Sequence, residues 1–291
     1  MPKNRGQMYS LLAAVTFVLY FLWMPGNTCA NPKGDFQNWL QSLRAEAIQR
    51  GHRPDIVHQL LTNIKPNRRV IKRDQNQAEF KLSLSSYMSR VITPTNIRTG
   101  RQKATDHHDL LAAVSEKYGV QYRFILAIWG IETRYGAVEA NVPIIPALAT
   151  LAFDSRRSTF FKNQLFAVIK MVSQGYVDVA SLFGSWAGAM GQPQFIPSSY
   201  LAFAQDFDGD GRRDIWNNTG DIFASIANYL RKNGWTADQT WGREVKVPRK
   251  LIVELGKPGV RAAPGCRART SIRKHLSEWQ TLGVRRINGS N

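Results

Sequence analysis

The sequence predicts a mainly α-helical protein, and three observations carry that prediction. Apolar residues recur at helical spacing along much of the chain, as in Phe36, Leu40, Leu43, Ala47 and Ile48 or in Ile222, Ile226 and Leu230. Extended character is confined to a short stretch near the C-terminal end, from Trp241 to Val253, where Val245 and Val247 alternate and Pro248 interrupts. With 291 residues and 43% hydrophobic content, the chain can also bury a sizeable core, as one large domain or roughly two to three subdomains.

Residues 1–30 have the pattern of a secretory signal peptide. Lys3 and Arg5 precede an apolar run from Leu11 to Met24, followed by Pro25, Gly26 and the small-residue end Thr28-Cys29-Ala30. The run is too short for a bilayer span, and cleavage is expected after Ala30, which leaves no transmembrane span in the mature chain. An uncleaved anchor is the rival reading. Lipid attachment at Cys29 is disfavoured, because Gly26-Asn27-Thr28 lacks the usual aliphatic residue before a lipidated cysteine.

Thirty-nine Lys and Arg against twenty-one Asp and Glu give a formal charge of +18, and loss of Lys3 and Arg5 with the leader takes it to +16. Such a charge favours a polyanionic partner: nucleic acid, anionic lipid or an acidic cell-wall polymer. Export removes nucleic acid from that set. Cys266 is then the remaining cysteine, so no intramolecular disulfide is available.

Residues 31–104 are expected to form a helical layer. Two amphipathic helices are predicted from Phe36 to Ile48 and from Ile56 to Ile64, with Pro66 closing the second. The basic stretch Asn67 to Arg73 reads as a solvated face, and a further helical segment runs from about Phe80 to Val91 before Thr93-Pro94. From Thr105-Asp106 a new helix is expected to carry Leu110, Leu111, Val114 and Tyr118 on one face, ending at Gly119. His107 and His108 point to different sides of such a helix and read as surface residues rather than as metal ligands.

The stretch that organises the chain is Arg123 to Gly136. A helix through Phe124, Ile125, Leu126, Ala127, Ile128, Trp129 and Ile131 would be apolar nearly all round and hence buried, and it contains one carboxylate, Glu132. A buried carboxylate resists ionisation, so Glu132 is a candidate proton donor near neutral pH. The alternative is an exposed Glu in a last turn capped by Gly136.

After Pro143, Pro146 and an Ala/Leu-rich segment, Arg156-Arg157 precede a helix from about Thr159 to Gln174. Positive charge there opposes the helix dipole, which leaves either solvated arginines or an anion contact. Ser185 to Tyr200 holds too many glycines and prolines for one regular element and reads as a structured loop opening a helix near Ser198. Its glycines allow close backbone approach to a ligand, and Ser185, Gln192 and Gln194 can hydrogen-bond sugar hydroxyls or amides.

Asp206-Phe207-Asp208-Gly209-Asp210-Gly211-Arg212-Arg213-Asp214 has the spacing of a calcium loop, with carboxylates at positions one, three, five and nine, glycine at six and Arg212 at seven. Position twelve is Asn217 instead of Glu, so Asp221 is the candidate distal carboxylate unless affinity is simply low. A helix through Ile222, Ile226, Tyr229 and Leu230 follows and closes at Gly234-Trp235; a short one is expected within Ile272 to Trp279.

Three segments together resemble the lytic transglycosylase B family of bacterial cell-wall enzymes. They are Glu132-Thr133-Arg134-Tyr135-Gly136; Ser185 to Gly191 with Gln194 to Tyr200; and Ala227-Asn228-Tyr229-Leu230 with Gly234-Trp235. The resemblance runs from about Asp35 to Arg286. It implies a lysozyme-like helical catalytic core over 105–235, in a periplasmic protein that cleaves the bond between N-acetylmuramic acid and N-acetylglucosamine in peptidoglycan. Glu132 would be its single catalytic acid and base. Tyr87, Arg156, Arg157, Ser185, Gln194 and Tyr229 would line the glycan groove, and the Asp206 loop would be a structural calcium site. Peptidoglycan is the implied partner, with other cell-wall enzymes as candidate protein partners.

Relatives of this kind continue past Leu282-Gly283-Val284-Arg285-Arg286 into a further strand and a last helix, whereas this sequence stops at Asn291. The region 236–291 is therefore expected to be a small, shortened, partly extended lobe. A non-catalytic peptidoglycan-binding or scaffold protein is the alternative to an active transglycosylase, with a lysozyme-type hydrolase as a third reading.

Overall fold

The computed structural model describes residues 36–75, 83–139, 141–154, 157–237, 242, 244–255 and 274–289. The leader, both cysteines and Arg156 lie outside them. The chain divides into two compact units, with the boundary after Lys232. The expected limit at 104 falls inside a helix, Pro94–Asp106.

In the first unit, α1 (Phe36–Gln49) and α2 (Pro54–Leu61) bury Phe36, Leu40, Leu43 and Ala47 and then Val57, Leu60 and Leu61, at the spacing their sequence shows. The basic stretch is itself helical: α3 (Arg68–Gln75) buries Val70 and Asp74 and turns Arg68, Arg69, Lys72 and Arg73 to solvent. Next come α4 (Leu84–Val91) and α5 (Pro94–Asp106). Pro94 opens α5 instead of only ending α4, because a proline's missing N–H costs nothing in a first turn, and Thr93 caps that turn by accepting from the Asn96 amide. Thr105-Asp106 accordingly ends a helix where a start was expected, and α6 (His108–Tyr118) begins one residue further on. His107, between them, lies against Trp129 and Phe223 with ring centroids 5.9 and 5.6 Å away, so it is half-buried where an exposed residue was expected.

Next, α7 (Tyr122–Thr133) carries Glu132, and β1 (Val142–Pro143) leads into α8 (Ile144–Phe153). It is α8, not α7, that is enclosed on nearly every side: eight of its ten residues are buried. Its sequence IIPALATLAF has no charge to keep in water. The long α9 (Ser158–Ser173) packs along it, and α1 and α3 also lie against it. The one polar side chain among the buried residues of α8 is matched. Thr150 accepts from the Asn67 amide at 2.9 Å and donates to the Pro146 carbonyl at 2.7 Å.

A two-residue strand, β2 (Phe183–Gly184), pairs antiparallel with β1 and feeds the glycine-rich loop. The loop ends at α10 (Pro197–Phe203), whose first turn donates the Ser198 amide to buried Gln164 of α9 at 2.9 Å. The unit closes with α11 (Thr219–Lys232), which packs on α6, α7 and α10 and buries ten of its fourteen residues.

The second unit contains β3 (Val245–Lys246), α12 (Arg249–Leu255), α13 (Leu276–Thr281) and β4 (Arg285–Arg286), with β3 and β4 paired antiparallel. The stretch expected to stay extended to Val253 becomes helical directly after Pro248. Proline's fixed φ, which interrupts a strand, also suits the entry to a helix. No helix among the described residues is long and apolar enough to cross a membrane.

Candidate functional site

Helix α7 buries Ile125, Leu126, Trp129, Gly130 and Thr133, and leaves Arg123, Ala127 and Ile131 exposed. Those three are four residues apart and form one stripe, so the helix has a solvent face despite its composition. The expectation of all-round burial fails here because apolar residues are free to remain at a surface. Glu132 sits at the edge of the buried face, in the last turn, and is half-buried. No described group donates a hydrogen bond to it. Loss of water alone pushes its carboxyl up from 4.5 to about 7.

The helix does not run on to Gly136. It stops at Thr133 because Arg134 and Tyr135 adopt left-handed backbone, with φ of 51° and 61°, and Gly136 follows at 81°. A Cβ on Gly136 would lie 2.6 Å from the Gln192 Oε1 atom, so glycine is favoured by backbone angle and any side chain there would displace the Gln192 amide. The turn is bolted to the glycine-rich loop. Trp129 Nε1 donates to Gln192 Oε1 at 2.5 Å, Thr133 Oγ1 donates to the Gln192 carbonyl at 3.1 Å, and Gln192 Nε2 donates to the Trp216 carbonyl at 2.7 Å. Gln192, read from sequence as a sugar-binding group, has its amide committed to this bolt.

Ser185 shapes the loop by folding it onto itself. Its Oγ accepts from the Ala187 and Ala189 amides at 3.3 and 3.1 Å, which leaves the hydroxyl proton available. Gln194 has left-handed backbone, φ 53°, and its Nε2 donates to the Gly191 carbonyl at 2.9 Å, leaving Oε1 without a partner among the described residues. The next residue, Phe195, packs at 5.7 Å on the ring of Tyr229, which also touches Phe203 at 4.9 Å. Burial pushes the Tyr229 phenol above its usual range. Tyr87, on α4 and 36% exposed, is also pushed up, first by burial and then by the Glu132 charge, which places the two groups within electrostatic reach.

Thus the glycine-rich loop is joined to the Glu132 turn through Gln192, α11 packs on α7, and Tyr87 of α4 lies within electrostatic reach of Glu132. Arg157 is engaged elsewhere. Its guanidinium forms an ion pair with the buried Asp74 of α3 and lies 5.0 Å over the Phe161 ring, a structural role with no local sequence signal. Arg156 is not among the described residues.

In the acidic loop the carboxylates of Asp206, Asp208 and Asp210 offer oxygen atoms that all lie within 4.8 Å of one another. Asp206 accepts from the Gly209 and Gly211 amides at 2.7 and 2.8 Å, and Asp210 from the Arg212 amide at 2.8 Å, so the loop is wound around its own carboxylates. Hard, exposed oxygens gathered in this way fit a calcium ion. Asp214 and Asp221 do not join the cluster. Asp214 Oδ1 accepts the Trp216 and Asn217 amides, both at 2.9 Å. Asp221, fully buried, accepts from the Phe207 and Asp214 amides, each at 2.7 Å, and so ties the two ends of the loop to α11. The Arg212 side chain leaves the loop to pair with Asp178 at 2.5 Å.

Comparison with known proteins gives this arrangement a context. Residues 35–291 match the profile of the transglycosylase SLT domain. The chain belongs to the transglycosylase SLT domain family. This SLT domain chain is 40% identical over 150 residues to the membrane-bound lytic murein transglycosylase B of Escherichia coli (strain K12), a match covering 51% of the chain and 41% of that relative. Among solved structures it resembles SltB3 from Pseudomonas aeruginosa in complex with NAG-NAM-pentapeptide, with a TM-score of 0.79 and 38% identity over 88% of this chain and 65% of that one. It also resembles the Escherichia coli lytic transglycosylase Slt35 in complex with calcium, with a TM-score of 0.70 and 28% identity over 91% and 81% of the two chains. The SLT domain chain therefore spans about two fifths of the first relative's length and about two thirds of the second's.

Proposed function

We propose that this protein is a periplasmic lytic transglycosylase that cleaves the glycan strand of peptidoglycan between N-acetylmuramic acid and N-acetylglucosamine. The observation that carries the reading is Glu132 itself, a lone carboxyl whose pKa stands at about 7 in a turn framed by Tyr87 and the glycine-rich loop. Most glycosidases divide the work between two carboxylates. One is sufficient here because a group poised near neutral pH serves as acid in one step and base in the next. Glu132 gives its proton to the glycosidic oxygen as the bond from C1 breaks, while the substrate's own acetamido oxygen stabilises C1. The carboxylate then takes the proton of the C6 hydroxyl, whose oxygen attacks C1 and closes a 1,6-anhydro ring. The proton returns to Glu132, and no water is consumed.

Gln194 Oε1 and the Ser185 hydroxyl are suited to orienting the sugar amide and the reacting groups, and Tyr87 and Tyr229 to walling the groove. The relative solved with NAG-NAM-pentapeptide supports a glycan that carries its peptide as substrate. Asp206, Asp208 and Asp210 would hold calcium, with the Arg212 carbonyl at position seven; the ion would fix the loop rather than take part in the chemistry.

Digestion of purified sacculi, with mass spectrometry of the released muropeptides, tests the activity. Products lighter by one water than hydrolysis would yield are expected, and Glu132→Gln should release none. Reducing-end products would establish a hydrolase instead. Intact sacculi that still bind the folded protein would establish a non-catalytic binding protein.

A further inference from the structure

A concavity of about 430 Å³ lies beside the Glu132 turn. Gly136, Gly191 and Gln192 border it, but Glu132 does not. Its walls are Glu139 and Asn141 from the loop after α7, Ser181 and Phe183 from the approach to β2, and Trp216 and Asn217 from the end of the acidic loop. The walls are held in place. Trp216 Nε1 donates to the Phe183 carbonyl at 3.1 Å, and Asp214 fixes the Trp216 and Asn217 amides from behind.

The charge of this pocket is opposite to that of the protein. Glu139 is its one charged lining residue, and among the described residues no cation pairs with it. In a chain of formal charge +18, an unpaired carboxylate on a pocket wall selects for a cation. Around it, Asn141, Asn217 and Ser181 offer amide and hydroxyl groups matched to peptide N–H and C=O, while Phe183 and Trp216 supply apolar surface. We propose that this pocket receives the ammonium-bearing segment of a peptide attached to the glycan, with Glu139 as its counter-ion. The proposal deepens the transglycosylase reading and rests on it for the source of the peptide.

The test is equilibrium binding of a disaccharide-peptide ending in a diamino acid, its side-chain amine either free or N-acetylated, to the full chain and to Glu139→Gln. Glu139 is exposed, so its replacement leaves the fold intact, and Glu139→Asp serves as the conservative control. The free amine should bind roughly five-fold more tightly than the acetylated form, as for a partly exposed ion pair. Glu139→Gln should bring that ratio to one, and Glu139→Asp should keep most of it. A ratio of one in the unmutated protein, or a preference that survives Glu139→Gln, overturns the proposal. Sacculus digestion is scored separately. An amine preference without anhydro products upholds the pocket and rejects the transglycosylase reading, and anhydro products without the preference do the reverse.

Discussion

Replacing Glu132 by Gln should make the protein more stable, by an amount that grows as the pH rises from about 4.5 and is complete above about 7. In the folded chain the carboxyl ionises near pH 7 and in the unfolded chain near 4.5. Below pH 4.5 both states hold the proton and the site costs nothing. Between 4.5 and 7 the unfolded chain ionises first, which draws the equilibrium toward unfolding, and above 7 the cost is complete. At about 1.4 kcal/mol per pH unit the interval amounts to roughly 3 kcal/mol. Glu132 keeps part of its surface in water, which reduces the expected gain to about 2 kcal/mol. Gln has no charge to desolvate. Urea unfolding of the two proteins should therefore coincide at pH 4 and separate by about 2 kcal/mol at pH 8, or about 4–8 °C in Tm for a domain of this size. The same titration should lower turnover above pH 7 as the acid form is lost. Equal stability at both pH values, or a gain independent of pH, would refute the reasoning that desolvation sets this carboxyl.

Four further outcomes are expected. Gly191→Ala should cost about 2–4 kcal/mol in urea unfolding, since φ is +60° and the new Cβ would lie 2.6 Å from the Ile215 carbonyl. Trp129→Phe keeps an aromatic ring, though a smaller one, but leaves Gln192 Oε1 without its donor, and should lower stability by about 1–2 kcal/mol and reduce turnover by loosening the turn. Arg157→Ala should cost about 2–3 kcal/mol, with Asp74→Asn restoring part of it in the double variant; lost sacculus binding at unchanged stability would return Arg157 to the groove. Calcium should stabilise the fold by about 2.7 kcal/mol at a hundredfold excess over Kd, read as a rise in Tm, and Asp208→Ala should abolish the effect.

Much of this architecture can be read directly from residue spacing. The buried faces of α1, α2 and α6 follow the ones that their periodicity marks, and the loop from Ser185 to Pro197 is irregular where glycines and prolines say it must be. Three aspartates two residues apart announce a cluster because a tight loop turns alternate side chains inward. The limits of α5 and α12 differ from those that residue type suggests for one reason: proline breaks a strand or an established helix yet favours a first turn, and residue type alone does not say which applies.

Other features have no local signal. Composition marks both α7 and α8 as apolar, but only packing against α1, α3 and α9 makes α8 the enclosed helix and leaves α7 a solvent stripe. Asp221 has the spacing of a distal ligand, but it is spent on two backbone amides. The Trp129 to Gln192 bolt joins residues 63 positions apart, and the Glu139 pocket takes its walls from four separate segments. By itself the sequence determined the helical class, the presence of one carboxylate, Glu132, in an apolar helix, and the acidic loop, because each rests on spacing within a few residues. Tertiary structure alone decided how far Glu132 is withdrawn from water and which polar groups remain free, since desolvation and hydrogen-bond pairing depend on every segment packed around a group.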